Sequence, residues 1–329
     1  MSFPVSIDRF ARRIDYLRIS VTDRCNERCL YCMPEGFRGW KARAETLSDG
    51  EILRVVRVAA GLGFRKFRVT GGEPLVRAGI ADLLAHIWEV TGVEALGLST
   101  NGTRLAGMAR DLKQAGVRSV NVSLDALDPH IYRRITGGRI EPVLEGIRAA
   151  IDAGFEAVKL NCVLMRGINE SQIWPLVGFA AEHGVPLRLI ELMPLTRTDV
   201  LDDSNFFPVA EAKRLLERRE RLMPLPDYRP GHGPAKYFHL EKSDVRVGFI
   251  GALTDRCFCE GCNKMRLTAD GRLRPCLGDH GEIDLAPALR GGSDSDLGAL
   301  ICEGLGRKPL EHAFRENYLP GRPMAAIGG

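Results

Sequence analysis

The chain has 329 residues, 45% of them hydrophobic and 27% charged, with a net charge of only +4. Such a composition suits a globular protein of about two domains with a sizeable core, and so small a charge gives no argument for a nucleic-acid partner. No run approaches the ~18 apolar residues of a membrane span, and the start M-S-F-P-V-S-I-D-R-F-A-R-R lacks a signal-peptide core, so a cytoplasmic location is expected.

From Tyr16 onward, β-rich runs alternate with amphipathic ones. Strands are expected at residues 16–21, 66–70, 95–100, 119–124, 157–164 and 187–192, where Val, Ile and Leu suggest burial on both faces. Helices are expected near 48–61, 79–91, 107–115, 142–153 and 171–183. Ser48 and Glu51 have capping-box spacing, and Gly61, Gly116, Gly154 and Gly184 suit helix ends. Six β–α repeats imply a parallel sheet with right-handed crossovers, curled into a partial or complete barrel. An open doubly wound sheet competes with it, and periodicity alone does not separate the two. Beyond residue 195 the pattern changes. Residues 199–207 read as a loop, 209–222 as a charged helix, 224–234 as a Pro/Gly-rich stretch, and 236–240 with 245–250 as an antiparallel pair. The expected division is a barrel over 1–195, a connection over 196–235 and a C-terminal domain over 236–329, with a tail frayed by default from residue 318.

Six of the nine cysteines form two groups, Cys25/Cys29/Cys32 and Cys259/Cys262/Cys276. In a reducing compartment clustered thiols point to metal or redox chemistry rather than disulfides. Cys162, Cys257 and Cys302 read as ordinary small side chains. The first group is C-x3-C-x2-C directly after the first strand. Thiolates ligate iron–sulfur clusters, and three of them leave one iron of a cubane open to an exogenous ligand. Zinc prefers paired C-x2-C arms closing a four-ligand site and fits this loop poorly. Thr70-Gly71-Gly72-Glu73-Pro74 ends the second strand, where paired glycines allow close backbone approach and a carboxylate can accept from an ammonium group.

The cysteine loop, with Tyr31 before its last cysteine, resembles the radical S-adenosylmethionine family. That resemblance implies a partial (βα)6 barrel and a [4Fe-4S] cluster on Cys25, Cys29 and Cys32. It also implies S-adenosylmethionine bound near Tyr31, Gly72, Ser123 and Met193, and cleaved to a 5′-deoxyadenosyl radical. The second group, C-x2-C-x13-C from Cys259 to Cys276 within F-C-E-G-C-N-K-M-R-L-T-A-D-G-R-L-R-P-C-L, is similar to the C-terminal half of the GTP 3′,8-cyclase family. The similarity extends through Ser99-Thr-Asn-Gly102, Asn121-Val-Ser-Leu-Asp125, Ile190-Glu-Leu-Met193 and Gly233-Pro-Ala235 to the terminal Gly328-Gly329.

This second resemblance implies another [4Fe-4S] cluster on Cys259, Cys262 and Cys276. It implies GTP as substrate, held by Arg18, Arg68, Thr100, Lys159, Lys264, Met265 and Arg266, and cyclised in the first step of molybdenum-cofactor biosynthesis. A flavodoxin or ferredoxin as reductant, cyclic pyranopterin monophosphate synthase as product acceptor, a homodimer, and a C-terminus reaching into the active site are implied with it. The physical case for Arg18, Arg68 and Lys159 is separate: they interrupt otherwise apolar strands, and a triphosphate wants several fixed donors. Lys264 stands where the family usually has Arg, which keeps the charge and loses the planar fork. Cys257 lies outside the expected ligand set. A peptide-modifying radical enzyme with an auxiliary cluster, and a non-enzymatic iron–sulfur or zinc module that senses redox state or binds nucleic acid, are the competing classes.

Overall fold

A computed structural model describes residues 6–33, 36–37, 39–40, 42, 45–195, 201–316 and 318–328. The six expected strands are present as β1 (Tyr16–Ser20), β2 (Lys66–Thr70), β3 (Ala95–Thr100), β4 (Ser119–Ser123), β5 (Ala157–Leu164) and β6 (Leu187–Glu191). They lie side by side in sequential order, each parallel to the next. A doubly wound sheet reverses its strand order at a switch point. This one never does, so the crossovers wind one way only.

The helices between the strands are α1 (Asp49–Gly61), α2 (Ile80–Trp88), α3 (Ala109–Gln114), α4 (Pro129–Thr136), α5 (Glu141–Asp152) and α6 (Ile173–Glu182). Ser48 caps α1 in the full reciprocal box with Glu51. The helix α4 was not among the expected elements. Its signals are local and present in the sequence: Asp128 accepts from the N–H groups of His130 and Ile131, Pro129 opens the first turn, and Gly137 ends it in the left-handed region.

The C-terminal third does not form a separate sheet. It adds strands to both edges of the same one. On the β6 edge stand β7 (Leu222–Pro224), β8 (Lys236–Leu240) and β9 (Val245–Ile250), with β9 parallel to β6 and the expected β8–β9 pair antiparallel. On the β1 edge stand β10 (Lys264–Leu267), β11 (Arg272–Arg274) and β12 (Ile283–Asp284), with β10 parallel to β1. Among the described residues β7 and β12 are the free ends, so the barrel is partial and its sheet is not closed by hydrogen bonds. Helix α7 (Val209–Glu217) follows β6, α8 (Ala286–Gly291) and α9 (Asp294–Arg307) cover the β10–β12 edge, and α10 (Met324–Ile327) ends the described chain. The expected loop at 199–207 begins outside the described residues.

Alternation along the strands decides what faces what. Leu17, Ile19, Phe67, Val69, Leu160 and Leu189 pack into the main core with Ile52, Val55, Val56 and Ala59 of α1 and the apolar faces of its neighbours. Their sequence neighbours Tyr16, Arg18, Arg68, Lys159 and Arg188 point the other way and line a cavity. The strands are therefore buried on both faces, but only one face is apolar. No helix among the described residues is long and apolar enough to cross a membrane.

Candidate active site

The cavity is about 350 Å³ and is lined by both cysteine groups. Strand register places them at opposite ends. In β1 the first group follows Ser20, past the C-terminal end. Strand β10 runs parallel to β1 with Lys264 opposite Tyr16, so Cys262 lies before the N-terminal end. Strand β11 returns antiparallel with Arg274 opposite Arg266, which brings Cys276 to the same end as Cys262. Four residue steps of β1 separate the two ends, about 13 Å at ~3.3 Å per residue.

The first loop is tied down on two sides. The Arg28 and Leu30 N–H groups donate to the carbonyls of Thr136 and Ile135 at the end of α4, at 2.8 and 2.9 Å. Gly72 N–H donates to Thr22 O at 2.7 Å and Glu73 N–H to Arg24 O at 2.8 Å. A Cβ on Gly72 would lie 2.3 Å from Arg24 O, so the paired glycines let this turn press against the chain that leads into Cys25. The Glu73 carboxylate does not project freely into the cavity, as the sequence suggested. It accepts from Leu75 N–H, Thr100 Oγ1 and Asn101 N–H at 2.7–3.0 Å, latching β2 to the end of β3. Burial still pushes its pKa up to about 7. Tyr31 is held by a 2.7 Å bond to Asp125, whose other oxygen accepts from Val163 N–H. Burial raises Cys25 to about 11 and Cys32 to about 12, so thiolates at these positions call for a cation to sit against them.

In the second group each sulfur receives a backbone N–H: His312 to Cys259, Lys264 to Cys262 and Gly278 to Cys276. Such N–H···S bonds are what cluster-ligating thiolates use. Burial works against ionisation of Cys262, but the Lys308 and Lys264 ammoniums outweigh it and hold the thiol below its usual value. Cys257 is exposed, and its side chain is paired with Glu260, outside the cavity. Among the described residues no three His, Cys, Asp or Glu side chains are grouped tightly enough to hold a single metal ion.

Between the two groups runs a band of buried cations. Arg18 lies beside Arg266 on one flank and Arg68 on the other. Arg68 donates to Tyr16 Oη at 2.6 Å, Leu98 O at 2.6 Å and Ser119 Oγ at 2.8 Å. Gly97 makes that possible, since a Cβ there would lie 2.4 Å from Arg68 Nη2. Burial, and then like charge from Arg68 and Arg188, lowers Lys159 to about 6. Burial likewise lowers Arg266 to about 10 and Arg18 well below its ordinary value. Cations packed this closely without carboxylates between them form a receptor for a polyanion.

Gly72, Thr100, Ser123 and Met193 also line the cavity. Met265 does not: its side chain is fully buried in the main core, against the helix side of β10. The alternation that turns Lys264 and Arg266 inward turns Met265 outward, so any part it plays toward a ligand falls to its backbone. Arg188 was missed from sequence, although it interrupts an apolar strand just as Arg18 and Arg68 do. Its Nε and Nη2 are buried without a hydrogen-bond partner among the described residues, as are Oδ1 of Asn121 and of Asn161 on neighbouring strands. These orphaned donors and acceptors on the cavity wall mark a polar ligand, and with the N–H-supplied sulfurs they fit the implied groups.

The tail does not fray. Met324 N–H donates to Cys32 O, Ala325 and Ile327 are each 1% exposed, and Arg266 Nη1 donates to Gly328 O at 2.7 Å. The chain end is thus docked between Cys32 and Arg266, with Met324 on the cavity wall and Gly329 outside the described residues.

A partial parallel barrel with a three-cysteine loop after its first strand defines the radical S-adenosylmethionine class, and residues 19–180 match the Radical SAM superfamily. Residues 185–314 match Molybdenum Cofactor Synthesis C. The chain belongs to the GTP 3′,8-cyclase family. It is 44% identical to the GTP 3′,8-cyclase of Pelotomaculum thermopropionicum, over 98% of this chain and 99% of that one. It is 41% identical to GTP 3′,8-cyclase 2 of Pseudomonas aeruginosa over 98% of each. Among solved structures, Streptococcus suis SuiB bound to precursor peptide SuiA matches with a TM-score of 0.65 and 17% identity over 86% of this chain, which spans 64% of that longer one. Native anSMEcpe with bound AdoMet gives 0.58 and 15%, over 91% and 82% of the two chains. At such identities the likeness shows the shared fold and nothing more.

Proposed function

We propose that this enzyme cyclises GTP to 3′,8-cyclo-7,8-dihydro-GTP in the first step of molybdenum-cofactor biosynthesis. The observation that carries the reading is one cavity with a three-thiol loop at each end and a carboxylate-free cationic band between them. Cys25, Cys29 and Cys32 hold one [4Fe-4S] cluster and Cys259, Cys262 and Cys276 a second. S-adenosylmethionine would be held by Tyr31, Gly72, Ser123 and Met193, which line the cavity beside the first group. When bound, the first cluster and S-adenosylmethionine would supply the radical chemistry that takes the ribose 3′ hydrogen.

The protein's own part is placement. Arg18, Arg68, Lys159 and Arg188 fix the triphosphate, so the ribose is presented toward the first group and the guanine toward the second. Lys264 and Arg266 flank the guanine end, and Thr100 orients the Glu73 latch rather than reaching the phosphates itself. Burial of the whole band keeps water and stray hydrogen donors from the reacting sugar. Electrons come from a flavodoxin- or ferredoxin-type donor, and the product passes to cyclic pyranopterin monophosphate synthase.

The test separates the two groups. A variant with Cys259, Cys262 and Cys276 replaced by Ala should lose cyclisation yet still cleave S-adenosylmethionine slowly under strong reductant. The Cys25, Cys29 and Cys32 counterpart should bind GTP and make no 5′-deoxyadenosine. Deoxyadenosine from this second variant, folded by circular dichroism, would overturn the assignment.

A further inference from the structure

Lys308 has a side chain with no obvious business in the interior. It is 2% exposed and is among the largest fully buried side chains of the protein. It is the C-cap of α9. Pro309 follows it, which forces an extended backbone there and ends the helix, and the side chain turns down into the cavity wall. Its Nζ donates to the carbonyls of Lys264 at 2.8 Å and Pro275 at 2.7 Å. The Cys262 sulfur lies in the field of this ammonium, which lines the cavity beside it. Two of its hydrogens are thereby used, both on carbonyls, and among the described residues no carboxylate pairs with the ammonium. A buried ammonium without a counter-charge is costly. Carbonyl dipoles offset part of that cost, and the anionic groups within reach are the cysteine sulfurs.

We propose that Lys308 is a positioning residue for the second cluster, its buried ammonium being the resident counter-charge for the anionic cluster held by Cys259, Cys262 and Cys276. The proposal rests on the reading that this triad carries a four-iron cluster. Two effects follow from the geometry. By bonding Lys264 O and Pro275 O at once, Lys308 ties the strand that follows Cys262 to the turn that carries Cys276, fixing the spacing of two ligands. By adding one positive charge in a buried place beside the ligand sulfurs, it favours the reduced, more negative form of the cluster.

The experiment uses the full chain with Cys25, Cys29 and Cys32 replaced by Ala, so that only the second cluster is read. Lys308→Met keeps the length and apolar stem while removing the charge, and Lys308→Arg restores the charge. After anaerobic reconstitution, iron per chain and an EPR-monitored redox titration are measured. Lys308→Met should lower the ratio of reduced to oxidised cluster at least tenfold at the parent's midpoint, a downward shift of about 59 mV for a one-electron couple. Lys308→Arg should return toward the parent. If Lys308→Met loads no iron, recovery of loading and midpoint in Lys308→Arg supports the proposal, and failure to recover overturns it. An unchanged midpoint in loaded Lys308→Met overturns it and leaves the cluster reading standing. If the parent itself assembles no four-iron cluster, both fall.

Discussion

Replacing Lys159 by Met removes a cation whose charge state should depend on the nucleotide. The side chain is 2% exposed, donates to Pro230 O at 2.8 Å, and stands in the field of Arg68 and Arg188. Burial first, then those two guanidiniums, brings its pKa to about 6. At pH 8 the free protein therefore holds Lys159 neutral, and a bound triphosphate restores the ordinary preference for ammonium. Two pH units at ~1.36 kcal/mol each make protonation cost about 2.7 kcal/mol at pH 8. Because the complex binds a proton that the free protein has released, GTP binding takes up a proton and weakens above pH about 6. The residue's contribution to Kd is about fiftyfold between pH 6 and pH 8. The sign for folding is the opposite one. From pH about 6 up to the usual lysine value, the unfolded chain binds the proton that the folded chain lacks, so the nucleotide-free protein gains stability as pH rises through that window. Calorimetric titration with GTP at pH 8, in two buffers of different ionisation enthalpy, reads proton uptake directly. Wild type should take up close to one proton more than Lys159→Met. Equal uptake in the two proteins would refute the reasoning.

Gly97→Ala places a methyl 2.4 Å from Arg68 Nη2, the far end of a flexible side chain, so the fold should survive while the guanidinium is displaced. GTP affinity should fall at least tenfold, as for loss of one charge-assisted bond, and an unchanged Kd would remove Arg68 from the phosphate ligands. Arg266→Ala should weaken GTP binding by about 1.5–3 kcal/mol, whereas Lys264→Arg should match or exceed wild type. Equal affinity of Arg266→Ala and wild type would reduce Arg266 to a tether for the Gly328 carbonyl.

Each barrel strand sits within a residue or so of its expected position, because short runs of Val, Ile and Leu punctuated by Gly are decided locally. The same holds for the cysteine loops: ligand spacing within a loop is a property of neighbouring residues. The α4 helix escaped notice although Asp128, Pro129 and Gly137 mark it, since eight residues carry little periodic signal. Strands β10–β12 also escaped, being short, charged and rich in Arg.

Residue types and local spacing determined by themselves that this chain carries two three-thiol groups on an alternating α/β frame, and that Arg18, Arg68 and Lys159 sit where apolar residues were expected. Tertiary structure alone decided where those parts meet. Pairing of β10 with β1 across some 250 residues of sequence puts the second group below the first strand and the first group above it. Packing of Gly71 and Gly72 against residues 22–24 turns the Glu73 carboxylate into a latch. The helix-side placement of Met265, the burial of Arg188 and Lys308, and the docking of the tail under Cys32 likewise depend on partners far along the chain. Sequence periodicity reports which face of a strand is apolar; only the register of distant strands tells what stands opposite the other face.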